Sequence, residues 1–81
     1  MPNSIKVKAV YPAEDLHLTV VFENDVVKDY DVKQLFDRFP DYKALRNPDV
    51  FNLVHVDCGG YAVAWSDELD ISECELWEGS V

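Results

Sequence analysis

The residues of this 81-residue chain that could do chemistry are two histidines, two cysteines and sixteen carboxylates. Nucleophilic catalysis needs a nucleophile, a base and an orienting group within hydrogen-bond reach. Here the nucleophiles would be Cys58 and Cys74 and the bases His17 and His55. Cys58 stands beside Gly59-Gly60 with no neighbouring cation in sequence to stabilise a thiolate. A metal site could draw on His55, Asp57 and Cys58, with His17 as a fourth donor. His55 and Asp57 are two apart, so on a strand they share a face, and a borderline-soft ion accepts such donors. Zinc sites normally carry paired spacings, which this loose cluster lacks. Ordinary surface polar residues are therefore the preferred reading. The carboxylates Asp67, Glu68, Asp70, Glu73, Glu75 and Glu78 crowd the tail. Acid–base catalysis needs two carboxylates in unlike environments inside a cleft, and a solvated tail does not supply them. The EF-hand pattern, the phosphate loop, GxGxxG and GxSxG are all absent. No catalytic, cofactor-binding or metal-binding residue is assigned, and no cofactor is expected.

Charge separates the two halves of the chain. Residues 1–46 hold all seven bases and eight acids; residues 47–81 hold eight acids and no base, within a net charge of −9. Gripping nucleic acid requires cations that displace counterions, so direct nucleic-acid binding by this chain alone is not expected. A basic protein would be attracted instead. Cys58 and Cys74 are 16 apart and form no CxxC, so two free thiols are expected. No apolar run approaches the length of a membrane span, and Met1-Pro2-Asn3-Ser4 is not of signal-peptide type. The chain reads as cytoplasmic, with one domain over residues 1–81.

The elements that would position these residues follow from periodicity. Residues 4–11 alternate, with Ile5, Val7 and Ala9 on one side. Residues 15–23 form the clearest strand, with Leu16, Leu18, Val20 and Phe22 on one face. Asn24-Asp25 is expected to turn the chain into a third strand over 26–30. Asp31 can cap a helix carrying Val32, Leu35, Phe36 and Phe39 on one stripe, with Gln34 in capping-box position and Pro40 ending it. Residues 41–52 connect, anchored by Tyr42, Leu45 and Phe51. Strands over 53–57 and 61–66 flank the Cys58-Gly59-Gly60 hairpin signal. Asp70 or Ser72 then caps a short helix through Leu76 and Trp77 that ends at Gly79. Phe22, Phe36, Phe39, Phe51 and Trp65 are expected in the core. The predicted class is α+β. A small, mostly antiparallel sheet of about five strands, in the order β-β-β-α-β-β-α, carries one helix packed on one face and a short C-terminal helix.

These segments, taken in order, resemble a known family. They are Leu18-Thr19-Val20-Val21-Phe22 with its Asn24-Asp25 turn, Tyr30-Asp31 leading to Leu35, then Leu45 and Phe51. Val54-His55-Val56-Asp57, Gly60, Trp65, Leu69-Asp70-Ile71 and Leu76-Trp77 follow. Over roughly residues 5–77 the chain resembles the small bacterial domain-of-unknown-function family numbered 2442. That resemblance implies a small α+β domain, found alone or ahead of a helix-turn-helix DNA-binding domain. With the chain ending at Val81, no such extension is expected. Stand-alone members often sit beside a gene for another small protein, in an arrangement like toxin–antitoxin pairing. The family supplies no catalytic residues to carry over. Its turn is often Asn-Gly or Asp-Gly, where this chain has Asn24-Asp25.

Composition and pattern favour a non-enzymatic protein-interaction module, working through self-association or a basic partner protein, and the family resemblance implies that such a partner comes from an adjacent gene. The candidate interface is Val10, Val21, Ala62 and Ala64 on an uncovered sheet face, with Trp77 as a further anchor. The alternatives are an antitoxin-like or transcription-linked regulator acting in complex with a partner, and a small-ligand or metal-binding domain.

Overall fold

The computed structural model describes residues 5–81. The expected start of the first strand at Ser4, and the N-terminal Met1–Ser4 segment, lie outside the described residues. Three consecutive strands, β1 (Val7–Ala13), β2 (His17–Phe22) and β3 (Val27–Asp31), form an antiparallel sheet A in the order β1-β2-β3. β2 alternates half-buried and buried along its length, as its sequence predicts. Leu18, Val20 and Phe22 are fully buried.

The β2–β3 connection differs from the expected two-residue turn. Asp25 N–H donates to Phe22 O and Phe22 N–H to Val26 O, which closes a three-residue loop, Glu23-Asn24-Asp25. Asp25 takes the left-handed position at φ 67°. This is the common three-residue hairpin, a turn followed by a left-handed residue.

The expected helix over 31–39 is instead a single 3-10 turn, Val32–Leu35. Asp31 caps it as predicted, accepting from Lys33 N–H at 2.9 Å, and Gln34 Nε2 donates back to the Asp31 carbonyl at 2.9 Å. Val32, Leu35 and Phe36 are buried, but Phe39 is 51% exposed. The helical turn stops at Leu35, so Phe39 is not carried onto the stripe that a longer α-helix would keep.

The connector contains a 3-10 segment, Pro40–Arg46, and one helical turn, α1 (Pro48–Phe51), capped by Asn47 Oδ1 accepting from Asp49 N–H at 3.0 Å. Leu45 and Phe51 anchor it in the core. Three short strands, β4 (His55–Asp57), β5 (Ala62–Ala64) and β6 (Asp70–Ser72), form sheet B, also an antiparallel meander. The last helix, α2 (Glu73–Gly79), is capped by Ser72 Oγ, which accepts from Glu75 N–H at 3.2 Å.

The predicted single five-strand sheet is therefore two three-stranded sheets. β1 lies beside β4 and β5 without joining their ladder. The inner faces of both sheets share one core, in which Val63, Trp65 and Ile71 of the sheet B side meet Leu18, Val20, Phe22 and Tyr30. Because the 31–39 segment is too short to cover sheet A, the second sheet, the connector and Leu76 of α2 cover it. Trp65 Nε1 donates to Phe51 O at 3.0 Å, so the buried indole keeps a partner.

The free strand edges are blunted. Asp29 exchanges two 2.9 Å backbone hydrogen bonds with Val81 on the outer edge of β3. On β6 the Tyr42 hydroxyl donates to the Asp70 carbonyl. An edge with its groups occupied is a poor template for unwanted strand pairing.

Candidate interaction face

Cross-strand register makes the solvent side of sheet A a grid of three rows. They are Ala9–Val21–Val27, Tyr11–Thr19–Asp29 and Ala13–His17–Asp31. The first row is apolar and the last ionic. Val27 is 59% and Tyr11 56% exposed, both large residues left in solvent. A β-bulge between Val7 and Ala9 sets this arrangement. It lets Val7 and Val10 both face the core and sends Ala9 outward, because one extra residue shifts the alternation.

At the ionic end, His17 Nδ1 lies 2.6 Å from Asp29 Oδ2, and Nε2 lies 3.7 Å from Asp31 Oδ2. Lys33 Nζ bridges Asp31 Oδ1 at 2.9 Å and Asp15 Oδ2 at 3.1 Å. Desolvation pushes the Asp31 carboxyl up. The Lys33 hydrogen bonds and charge, with His17 beyond, outweigh it and hold the group below its ordinary value. Desolvation likewise pulls Lys33 down, but Asp31 and Asp15 hold the ammonium above its usual value. The cluster ties β3 to the β1–β2 turn, where Asp15 and Leu16 both adopt left-handed angles, φ 59° and 60°.

A second polar group lies on the opposite side of the sheet. The Tyr30 hydroxyl donates to Glu75 Oε2 at 2.8 Å, and Arg38 Nη2 stands 3.4 Å from the same oxygen. Burial, then the Glu75 carboxylate, push the Tyr30 phenol above its ordinary value, so it stays a neutral donor. Beside it an open groove of about 230 Å³ is lined by Leu35, Phe39, Tyr42 and the β6 residues. A second open hollow lies between Asp41, Ala44, Glu68 and Leu69.

The candidate interface of the sequence does not assemble on one face. Val21 is on the grid, but the bulge turns Val10 inward against the core. Ala62 and Ala64 are 6% and 2% exposed, buried on central β5 between cross-strand neighbours Asp57 and Ser72, and His55 and Asp70. Trp77 packs edge-on against Phe22, with centroids 4.9 Å apart, and Lys28 Nζ lies 3.9 Å over its ring. That ammonium also donates to Trp77 O at 2.9 Å, so the indole is clamped to sheet A. Ala9, Tyr11 and Val27 were missing from the sequence-based set. The Val26-Val27 pair signals a strand with a valine on each side, but only the register to Val21 shows which one lies on the open face.

The chemistry candidates stay apart as well. His55 and Asp57 share the exposed face of β4, as predicted, and His55 Nδ1 lies 3.0 Å from Leu53 O. Among the described residues, no three His, Cys, Asp or Glu side chains converge in a metal-binding geometry. Cys58 and Cys74 are free and exposed. The Glu78 carboxylate, with slight desolvation and Glu73, pushes the Cys74 thiol up, away from reactivity. Among the described residues, no helix is long and apolar enough to cross a membrane.

Fold and face together define a small two-sheet α+β domain with one amphipathic sheet face open to solvent. The chain belongs to the family described as "Protein of unknown function (DUF2442)", whose model matches residues 7–81. No curated protein matches it at a significant level. It is similar to the crystal structure of NE0471 from Nitrosomonas europaea ATCC 19718, a protein provisionally named as DNA-binding. The TM-score is 0.67 and the identity 26%, over 83% of this chain and 44% of that one. The chain thus spans less than half the length of the solved structure it matches.

Proposed function

We propose that this domain is a non-enzymatic protein-interaction module of the cytoplasm that binds through the open face of sheet A. One observation carries the reading: Tyr11 and Val27 stand more than half exposed beside Ala9 and Val21 in an uncovered apolar patch. A fully solvated sheet face would carry polar residues there. The test runs the protein on a sizing column, alone and with the product of the adjacent gene, at low and moderate salt. Self-association or co-elution is expected, and Val27→Asp should weaken it. Neither form of association at any concentration up to the millimolar range would overturn the reading.

A second reading is favoured by the name of NE0471: a transcription-linked regulator that acts in complex with a partner. With eight acids and no base over residues 47–81, the partner would supply the phosphate contacts. A gel shift by this protein alone would overturn that division of labour.

A further inference from the structure

Resting on the reading of sheet A as an interaction face, we infer that its occupant is a second copy of this chain. The two copies pack face to face about a two-fold axis parallel to β2. Such an axis preserves the height of each row while exchanging β1 for β3. Ala9 then lies opposite the partner's Val27, and Val21 opposite the partner's Val21. Tyr11 lies opposite the partner's Asp29, so a phenol donor meets a carboxylate. Apolar groups face apolar groups, and the one exposed phenol of the grid meets an acceptor. The ionic row lies at one end of the grid, at the polar rim of the contact.

The charge layout selects the same occupant. Residues 5–33, which carry sheet A, hold four bases and six acids, whereas residues 55–81, which carry sheet B and α2, hold seven acids and no base. Pairing through sheet A brings the near-balanced layers together and keeps the two acidic layers at opposite ends. At physiological salt the screening length is about 8 Å, so charges separated by both molecules scarcely interact. A basic partner would be drawn to the sheet B side, away from the apolar patch. The contact is small: three strands of about six residues present a planar face of roughly 300 Å². That is short of the ~800 Å² per partner of a stable complex, so the dimer is weak and concentration-dependent.

Sedimentation over a dilution series tests the inference, with circular dichroism checking each fold. The wild type should pass from monomer to dimer. Val27→Asp should weaken association at least about tenfold, and Tyr11→Phe by less. The register is tested in a Cys58→Ser, Cys74→Ser background. Thr19→Cys, which lies opposite itself across the axis, should cross-link to a dimer with a short bis-maleimide, and the exposed control Leu53→Cys should not. A wild type monomeric at every concentration, or cross-linking no faster at 19 than at 53, overturns the second copy. If that monomer still co-elutes with the adjacent gene's product through Val27, the face reading survives. Association unaffected by Val27→Asp sinks both.

Discussion

Asp25 holds a left-handed backbone position, φ 67°, that the β2–β3 loop needs and that a side chain disfavours. Its one compensation is an exposed pair with Lys8 at 3.2 Å, and such pairs contribute little. Asp25→Gly should therefore raise stability by about 0.5–1 kcal/mol, after the extra entropy glycine gives the unfolded chain. The urea midpoint reports it, and a lower midpoint would mean that the Lys8 pair outweighs the strain. Asp25 was legible as a turn residue, because aspartate tolerates this conformation. Its place as the third loop residue was not, since hydrogen bonds between Phe22 and its neighbours decide where the strands close. The open-face residues Tyr11 and Val27 were harder still. Either valine of Val26-Val27 satisfies a strand pattern, and only the cross-strand register to Val21 puts Val27 outside.

At the scale of elements, β3 and α2 are locked by one close approach. A Cβ added at Gly79 would sit 2.8 Å from Tyr30 Cε1 and 3.1 Å from Glu75 Oε2. The Tyr30 ring is fully buried and its hydroxyl is held by Glu75, so neither neighbour yields cheaply. Gly79→Ala should cost about 1–3 kcal/mol, measured by thermal or urea unfolding. The sequence marked Gly79 as a helix terminator, and it is the last residue of α2. The tightest approach comes from Tyr30, far away in the chain, beyond local pattern. The same holds for β6, whose Asp70-Ile71-Ser72 offers one apolar residue between two polar ones. Pairing with β5 makes it a strand. Ser72, by contrast, was legible as one of two candidate caps, with Asp70, because capping is local chemistry between a hydroxyl and a backbone N–H three residues on.

Across the whole molecule, a charge of −9 on 81 residues destabilises the compact state through self-repulsion. Few described ion pairs offset it, and those such as Lys8–Asp25 and Arg38–Glu75 are largely exposed. Raising salt from about 0.01 M to about 0.15 M shortens the screening length from ~30 Å to ~8 Å. The melting temperature at neutral pH should rise over that range. A fall would mean that the attractive pairs outweigh the repulsion among Glu73, Glu75, Glu78 and their neighbours.

By itself the sequence determined the local decisions: the alternation of β2, the cap at Asp31, a choice of two caps, Asp70 or Ser72, for the last helix, the Gly59-Gly60 hairpin, the α+β class and the acidic second half. Each depends on contacts within a few residues or on simple counting. Only the tertiary structure decided that there are two sheets, that a bulge turns Val10 inward, that Trp77 is clamped under Lys28, and which face remains open. These outcomes depend on which distant apolar surfaces exclude water from one another, and one shifted residue in a strand reverses every side chain beyond it.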